Sequence, residues 1–557
     1  MAANRPSGYG MHPFRESICL VPDDQSLPPP LRPIFAIFEG GGAKGVAHVG
    51  ALDAIAANRL EIIGVAGTSA GALAAVLVAI GLEADDLMHG SDPAANILAQ
   101  HGQTPIGLLG GSAWAEFGAL VSAVKAVTTG RWWSRIAGVV RHGPKAWAIG
   151  RRAVARRGHL DTAAIRAFVN EVVRDRLLRI RAEASLQFDV PDEVRFADLD
   201  EALPTVLPLK IVVTDAARGS LVVFDRRRTP EVKIGEAVAA SIAIPGVFQP
   251  ATIPSFRPGE FVDGGLVSNF PIWVFAEEKL AYERVHFDEP PVPIVGFSLG
   301  AGASEDAGAQ PKSLLPYLKA LADTALSGSQ TTTHRFQDDL IIVRLATTLP
   351  LLAFDAAWED LRGGREDGRR SADRELRFAL DVKPELIRAE LRVVRERALE
   401  RLNAGRVEPI VHLRANLITP SGDLSLRVVE GVNMVGDADD RLLLDRRGRG
   451  AAQAFREKGL RIFQLGGSHD DPSQEFMTKY ERALLRSGIR SAVCVPIFED
   501  PQVWERPEDE RPEPRGVLTL GSDEDLAEAF DNHEFLDMLV DRSGVLYAAI
   551  SLEPTDG

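Results

Sequence analysis

Two short apolar runs, each cut off by glycine and followed by a small-residue helix, constrain this chain most strongly. Ile34 to Phe38 stops at Glu39-Gly40-Gly41-Gly42, and Val46 to Asn58 then has helical character. Ile62 to Ala66 stops at Gly67-Thr68-Ser69-Ala70-Gly71, and an alanine-rich stretch to Ile80 reads as a second helix. Short β-rich runs bounded by glycine read as buried strands. Strand–helix–strand–helix predicts a parallel sheet with covering helices, an α/β fold. The apolar run from Ala70 to Leu82 is shorter than the roughly 20 residues a membrane span needs, so a buried helix is expected there.

Further strands are expected at Leu209–Thr214, Leu221–Phe224, Glu260–Val262, Ile294–Leu299 and Leu340–Leu345, with helices at Ile234–Ala243 and around Ser313–Leu326. The expected layout is an irregular leader over 1–33, an α/β domain over 34–350, a charged and helical connector over 351–404, and a separate α+β domain over 405–557. In the last, strands are expected at Ile410–Leu417, Leu424–Glu430, Ser491–Phe498 and Gly516–Gly521, helices at Gln474–Arg486 and His533–Ser551, and a loop at the acidic, proline-rich Pro507–Pro514. A length of 557 residues suits two or three domains. The two cysteines, Cys19 and Cys494, exclude a disulfide framework and a cysteine-rich zinc site. They fit a reducing compartment, and Met1 to Asp24 lacks the pattern of a signal peptide, so a cytoplasmic location is expected. A net charge of −15 argues against nucleic acid as the main partner.

Three motifs carry chemistry. Gly67-Thr68-Ser69-Ala70-Gly71 has the GxSxG form: a sharp strand-to-helix turn strains the central residue and holds its hydroxyl out from the backbone, at the positive end of a helix. Gly40-Gly41-Gly42-Ala43-Lys44-Gly45 also satisfies GxGxxG, but a dinucleotide site needs an acidic residue at the end of the next strand, where this chain has Thr68-Ser69. Successive glycines can instead aim several backbone N–H groups at one point, an oxyanion hole in which one donor is worth on the order of 3 kcal/mol of barrier. Lys44 either adds a positive charge there or is a solvated lysine at a helix start. Asp263-Gly264-Gly265 follows a short strand, and strand carboxyl ends are where sites form in open α/β sheets. His48 is the only histidine near a motif and is expected to face packing or solvent, which disfavours a Ser–His–Asp triad.

The glycine-rich loop, the GxSxG turn and the later Asp-Gly-Gly, in that order, resemble the patatin-like phospholipases. Ala239-Ala240-Ser241-Ile242-Ala243-Ile244-Pro245-Gly246-Val247-Phe248 resembles the segment those enzymes carry just before the catalytic aspartate. The resemblance spans about 34–345. It implies a three-layer α/β/α domain with a mainly parallel sheet, and cleavage of fatty-acyl esters by a Ser–Asp dyad without histidine, metal or other cofactor. By motif match Ser69 is the nucleophile and Asp263 its base. The oxyanion donors come from Gly40, Gly41 and Gly42, foremost Gly41 and Gly42, and Ala43, Lys44, Gly45, Gly67, Gly71, Gly264 and Gly265 support the motifs. The family often has Asp where Glu39 stands and Arg where Lys44 stands; both exchanges keep the charge. The same serine would serve an acyltransferase. An inactive lipid-binding scaffold and a membrane-damaging effector activated by a second messenger are the other readings.

From Phe117 to Leu160 there is no Asp or Glu, but nine Lys or Arg and Trp132, Trp133 and Trp147. In an acidic chain this suits transient contact with an anionic membrane surface; a helical cap with core tryptophans is the alternative. Residues from about 405 to 555 resemble a GAF-type sensory domain through Gly488–Ile497, Arg515–Leu520 and the closing helix. This implies a small-molecule ligand of nucleotide type, or dimerisation. Val435–Gly450 either borders that pocket or is a surface loop.

Overall fold

A computed structural model of the chain describes residues 31–111, 114, 157–286, 291–299, 340–351, 353–421, 425–434, 443–464 and 488–554. The expected helices around Ser313–Leu326 and Gln474–Arg486 lie outside these residues, as do residues 1–30, the first half of Val435–Gly450, Trp132, Trp133, Trp147 and most of the basic stretch. Among the described residues no helix is long and apolar enough to cross a membrane.

The first sheet contains β1 (Arg32–Phe38), β2 (Leu60–Thr68), β3 (Leu209–Asp215), β4 (Ser220–Asp225), β5 (Ala251–Ile253), β6 (Arg257–Asp263), β7 (Ile294–Leu299) and β8 (Leu340–Leu345). Its hydrogen-bonded path is β5-β6-β3-β2-β1-β7-β8, with β4 paired to β3. The β1–β2, β1–β7, β2–β3 and β7–β8 pairs are parallel, and the pairs joining β3, β4, β5 and β6 are antiparallel. Helices α1 (Val46–Ala57), α2 (Ala70–Ala79), α3 (Ala163–Glu183) and α4 (Ile234–Ser241) share one core with Ile34, Ala36 and Phe38 of β1. Phe35 and Ile37, on the opposite face because strand side chains alternate, join Val212, Phe270, Ile272 and Phe275 ahead of α5 (Ala276–Val285). The domain is therefore three layers around a mostly parallel sheet.

The stretch expected as a charged and helical connector holds a pair of packed helices, α6 (Trp358–Arg377) and α7 (Lys383–Leu402), joined by a π-helical turn at Phe378–Val382. α6 lies against α1 closely enough that a Cβ on Gly368 would come within 2.4 Å of Ala47 O, and one on Gly50 within 2.0 Å of Arg365 O. Arg365 pairs with both oxygens of Asp53 at 2.8 Å. Ala372 and Leu376 enter the first core, whereas Ile387, Leu391, Val394 and Ala398 of α7 enter a second one. The charges that gave the stretch its linker-like composition pair along the helix surface, Arg369 with Glu366 and Arg377 with Asp373.

The second core lies under a six-stranded antiparallel sheet of β9 (Leu413–Ser421), β10 (Ser425–Val432), β11 (Leu443–Asp445), β12 (Arg461–Gln464), β13 (Ser491–Ile497) and β14 (Gly516–Ser522), in the order β11-β10-β9-β14-β13-β12. α8 (Ala451–Glu457) covers one face through Phe455, and α7 with α9 (His533–Ser551) covers the other. β11, α8 and β12 occupy what reads in sequence as a polar, glycine-rich middle. Pro507–Pro514 lies in the β13–β14 connection, as its composition implies.

Candidate active site

β3 brings the site together. β4 pairs with it over Lys210–Asp215 and so occupies one edge. β2 pairs with Leu209–Val212 and β6 with Val213–Asp215, so these two strands share the other edge end to end. Thr68, the last residue of β2, faces Val212, and Asp263, the last of β6, faces Val213. Because β6 runs antiparallel, the two chain ends meet head on, with Ser69 and Asp263 at the junction.

Ser69 connects β2 to α2 with φ 54° and ψ −124°, a left-handed backbone that costs a non-glycine residue about 1–3 kcal/mol. Neighbouring glycines make the turn possible: a Cβ on Gly67 would lie 2.1 Å from Gly71 O, and one on Gly71 would lie 2.1 Å from Phe38 O. The Ser69 N–H donates to Ser241 Oγ at 2.9 Å, and Ser241 Oγ donates to Val212 O at 2.7 Å. The start of α2 directs its positive end at Ser69.

The Asp263 carboxylate accepts the Gly265 N–H at 2.7 Å, and the neighbouring Ser69 side chain favours its charged form. Asp263 is 3% exposed. Burial disfavours its charged form, and Ser69 and the Gly265 N–H only partly oppose this, so its pKa is pushed up from 3.8 to about 6. A carboxylate in that range can take a proton near neutral pH.

In the glycine loop, the Gly40 N–H donates to Asn269 O at 3.2 Å, and the Ala43 N–H to Leu351 O at 2.9 Å. Among the described residues no protein group accepts the N–H of Gly41 or Gly42. Gly40 lies against Ser69: a Cβ there would come within 2.9 Å of Ser69 Cβ and 2.4 Å of Asn269 Oδ1. Of the three expected oxyanion donors, Gly40 is thus already bonded, and Gly41 and Gly42 remain. Lys44 is half-buried, and its charge acts on Glu39.

Glu39 is buried. Oε1 accepts the Asn269 amide at 2.9 Å, and Oε2 accepts the Ser298 hydroxyl at 2.6 Å and the Leu299 N–H at 2.7 Å. Burial raises its pKa to about 7, against those three bonds and the charge of Lys44. His48 places Nε2 2.9 Å from Glu39 O and edges onto Phe38. Burial lowers its pKa to about 4. It thus bonds the backbone of the loop rather than Ser69 or Asp263.

Sequence reading passed over two members of this arrangement. Ser241 stands in the quoted small-residue segment as a polar break in an apolar run, and Asn269 lies six residues after Asp263, ahead of Phe270-Pro271. Among the described residues, one further group has the spacing of metal ligands, His101, Glu171 and Asp175, with ligand atoms within 4.8 Å of one another. It shares no residue with the site around Ser69.

Residues 36–276 match the family model for patatin-like phospholipase. A curated relative, the uncharacterized protein YqhO of Bacillus subtilis, is 25% identical over 256 residues, 44% of this chain and 68% of the relative. Among solved structures, VipD from Legionella pneumophila is similar at 13% identity and a TM-score of 0.30, over 68% of this chain and 77% of that one. The GAF-B domain of DevS from Mycobacterium smegmatis is similar at 16% identity and a TM-score of 0.17, over 29% of this chain and 92% of that one.

Proposed function

Since residues 36–276 are a patatin-like phospholipase domain, which makes the chain a hydrolase of carboxylic esters, we propose that it cleaves fatty-acyl esters of lipids with Ser69 as nucleophile and Asp263 as base. The observation that carries this is the placement of the strained Ser69 beside a buried carboxylate whose pKa is raised to about 6. As Ser69 Oγ forms its bond to the acyl carbonyl carbon, its proton passes to Asp263, and the carbonyl π electrons move onto oxygen. That oxyanion is received by the N–H groups of Gly41 and Gly42. Collapse restores the carbonyl and breaks the bond to the leaving alcohol, which takes the proton from Asp263. Water repeats the sequence on the acyl-serine and releases the fatty acid. His48, held on Glu39 O, takes no part.

The test is fatty-acid release from mixed phospholipid vesicles by wild type, Ser69→Ala and Asp263→Ala. A fall of several orders of magnitude in both folded variants is expected. Full activity in Asp263→Ala would remove the aspartate from the mechanism.

The C-terminal sheet domain is read as a GAF-like sensory unit that regulates this hydrolase in a cytoplasmic protein contacting membrane transiently. A direct link supports regulation: Arg427 of β10 pairs with Glu283 of α5 at 3.0 Å, and both side chains are largely buried. α5 follows the Asp263 turn in the chain. Added cyclic nucleotides that leave both acyl release and thermal stability of the full chain unchanged would count against a nucleotide ligand.

A further inference from the structure

We infer that Asn269, oriented by the Glu39 carboxylate, is a positioning residue that sets the oxyanion loop against the turn carrying the base. The inference rests on the Ser69–Asp263 reading above and adds to it residues that touch neither the nucleophile's hydroxyl nor the carboxylate of the base.

The glycine loop and the Asp263 turn are far apart in sequence, and Asn269 joins them through three hydrogen bonds. Its carbonyl accepts the Gly40 N–H at 3.2 Å, and its Nδ2 donates to Gly40 O at 3.1 Å and to Glu39 Oε1 at 2.9 Å. Both amide protons of Asn269 are thus committed, and Gly40 is held at its N–H and its carbonyl by one residue. Close packing reinforces the hold, because Asn269 Oδ1 lies where a Gly40 Cβ would stand. The next two residues, Gly41 and Gly42, carry the N–H groups left to receive an oxyanion, so their placement follows from that of Gly40.

Glu39 orients the amide. It receives three donors, from Asn269, Ser298 and the Leu299 backbone, so the geometry calls for an acceptor at both carboxylate oxygens. The two donors from the end of β7 fix Oε2, which leaves Oε1 facing Asn269. A second tie acts in the same place: Thr68 Oγ1 donates to Ser268 O at 3.1 Å, joining the end of β2 to the residue before Asn269. Catalysis by preorganised donors tolerates little displacement, and a shift of about 1 Å can cost on the order of a hundredfold in rate.

Near-isosteric exchanges test this in the full-length chain, read by hydrolysis of a soluble p-nitrophenyl acyl ester and by the rate at which a fluorophosphonate labels Ser69. Glu39→Gln turns an amide donor toward the Asn269 donor, and Asn269→Asp sets a carboxylate against the Glu39 carboxylate and Gly40 O. Each is expected to lower kcat by about 10–100-fold with KM within about twofold, and to slow labelling in parallel. The double variant Glu39→Gln/Asn269→Asp restores the pair with reversed polarity: the amide oxygen introduced at position 39 still accepts from Ser298 and Leu299, and the amide nitrogen there donates to the carboxylate introduced at position 269. It is expected to recover part of the lost kcat, because only the contact to Gly40 O stays repulsive. The inference is overturned by single variants within twofold of wild type in both readouts. It is equally overturned by a double variant no better than the product of the singles. Activity or labelling retained by Ser69→Ala would instead overturn the underlying functional reading, whatever the Asn269 variants do.

Discussion

Asp263→Asn should separate activity from stability, because the same burial that suits Asp263 to the role of base proposed for it strains the folded state. The exchange nearly preserves shape and removes the charge. In the fold the Asp263 pKa is raised from 3.8 to about 6, with burial as the largest cause. A carboxyl whose pKa is higher in the folded state binds its proton more tightly there, so the wild type has its full stability below pH 3.8 and loses some as pH rises through about 6. A shift of about two units corresponds to about 3 kcal/mol at pH 8 and to roughly half of that at pH 5. Asparagine escapes this penalty, and its oxygen can still accept the Gly265 N–H, so a net gain of about 1–3 kcal/mol at pH 8 is expected. At about 2–4 °C for each kcal/mol in a domain of this size, the melting temperature should rise by several degrees.

The assay is thermal unfolding of wild type and Asp263→Asn at pH 5 and pH 8, with ester hydrolysis measured on the same samples. The stability gain should be about twice as large at pH 8 as at pH 5, while hydrolysis falls by about 10²–10⁴-fold through loss of the base. A variant less stable than wild type at pH 8 would refute the reasoning, and so would a gain independent of pH, because either result would mean that burial does not oppose the Asp263 charge.

Four further outcomes follow from contacts in the fold. Wild-type kcat/KM should fall as pH drops through about 6, where protonated Asp263 can no longer accept the serine proton; a pH–rate profile on a neutral ester reads this limb. Ser241→Ala removes the bridge between the Ser69 N–H and Val212 O, two buried groups, and should destabilise by about 1–3 kcal/mol in denaturant titration while also lowering kcat. His48→Gln keeps a donor within reach of Glu39 O and should leave kcat/KM within about tenfold of wild type, whereas a loss of several orders of magnitude would restore a histidine to the mechanism. Arg427→Met leaves the largely buried Glu283 still paired with Lys279, so unfolding should show a loss of about 1–3 kcal/mol, the scale of one hydrogen bond to a charged group.

The strands and helices nearest the site could be read from local pattern. β7 and β8 coincide with their expected ranges, and β1 and β2 extend the expected runs by a few residues, because each is a β-rich apolar run with glycine or polar residues at its ends. The segment over α6 was not legible, because its contact with α1 is made by Gly50 and Gly368 rather than by an apolar stripe, and its surface charges imitate a linker. β11, α8 and β12 were not legible for a related reason: each is short and set among arginines and glycines. Motif order put Ser69, Asp263 and the glycine loop forward as partners, but no local pattern could show that Gly40 is already bonded, since its acceptor is Asn269, 229 residues away. The roles of Glu39, Ser241 and Asn269 are likewise tertiary, and each is an ordinary polar residue until the strands converge.

The convergence on β3 would also explain how the proposed base can be a carboxylate without a histidine between it and the serine. β2 and β6 end at adjacent positions on one strand, so backbone pairing brings Ser69 and Asp263 side by side. A histidine would need a ring's width at that junction, and the junction is instead closed by Gly264, whose Cβ would lie 2.3 Å from Val212 O and 2.9 Å from Thr68 Cγ2. Burial at this junction raises the carboxyl's affinity for a proton, and Ser69 and the Gly265 N–H only partly oppose that rise. In the proposed mechanism Ser69 gives its proton to Asp263, which becomes neutral in an environment that already disfavours its charge. On that reading the buried carboxylate gains as a base what the fold loses in stability, and the proposed Asn269 clamp would keep Gly41 and Gly42 aligned with the serine at that junction.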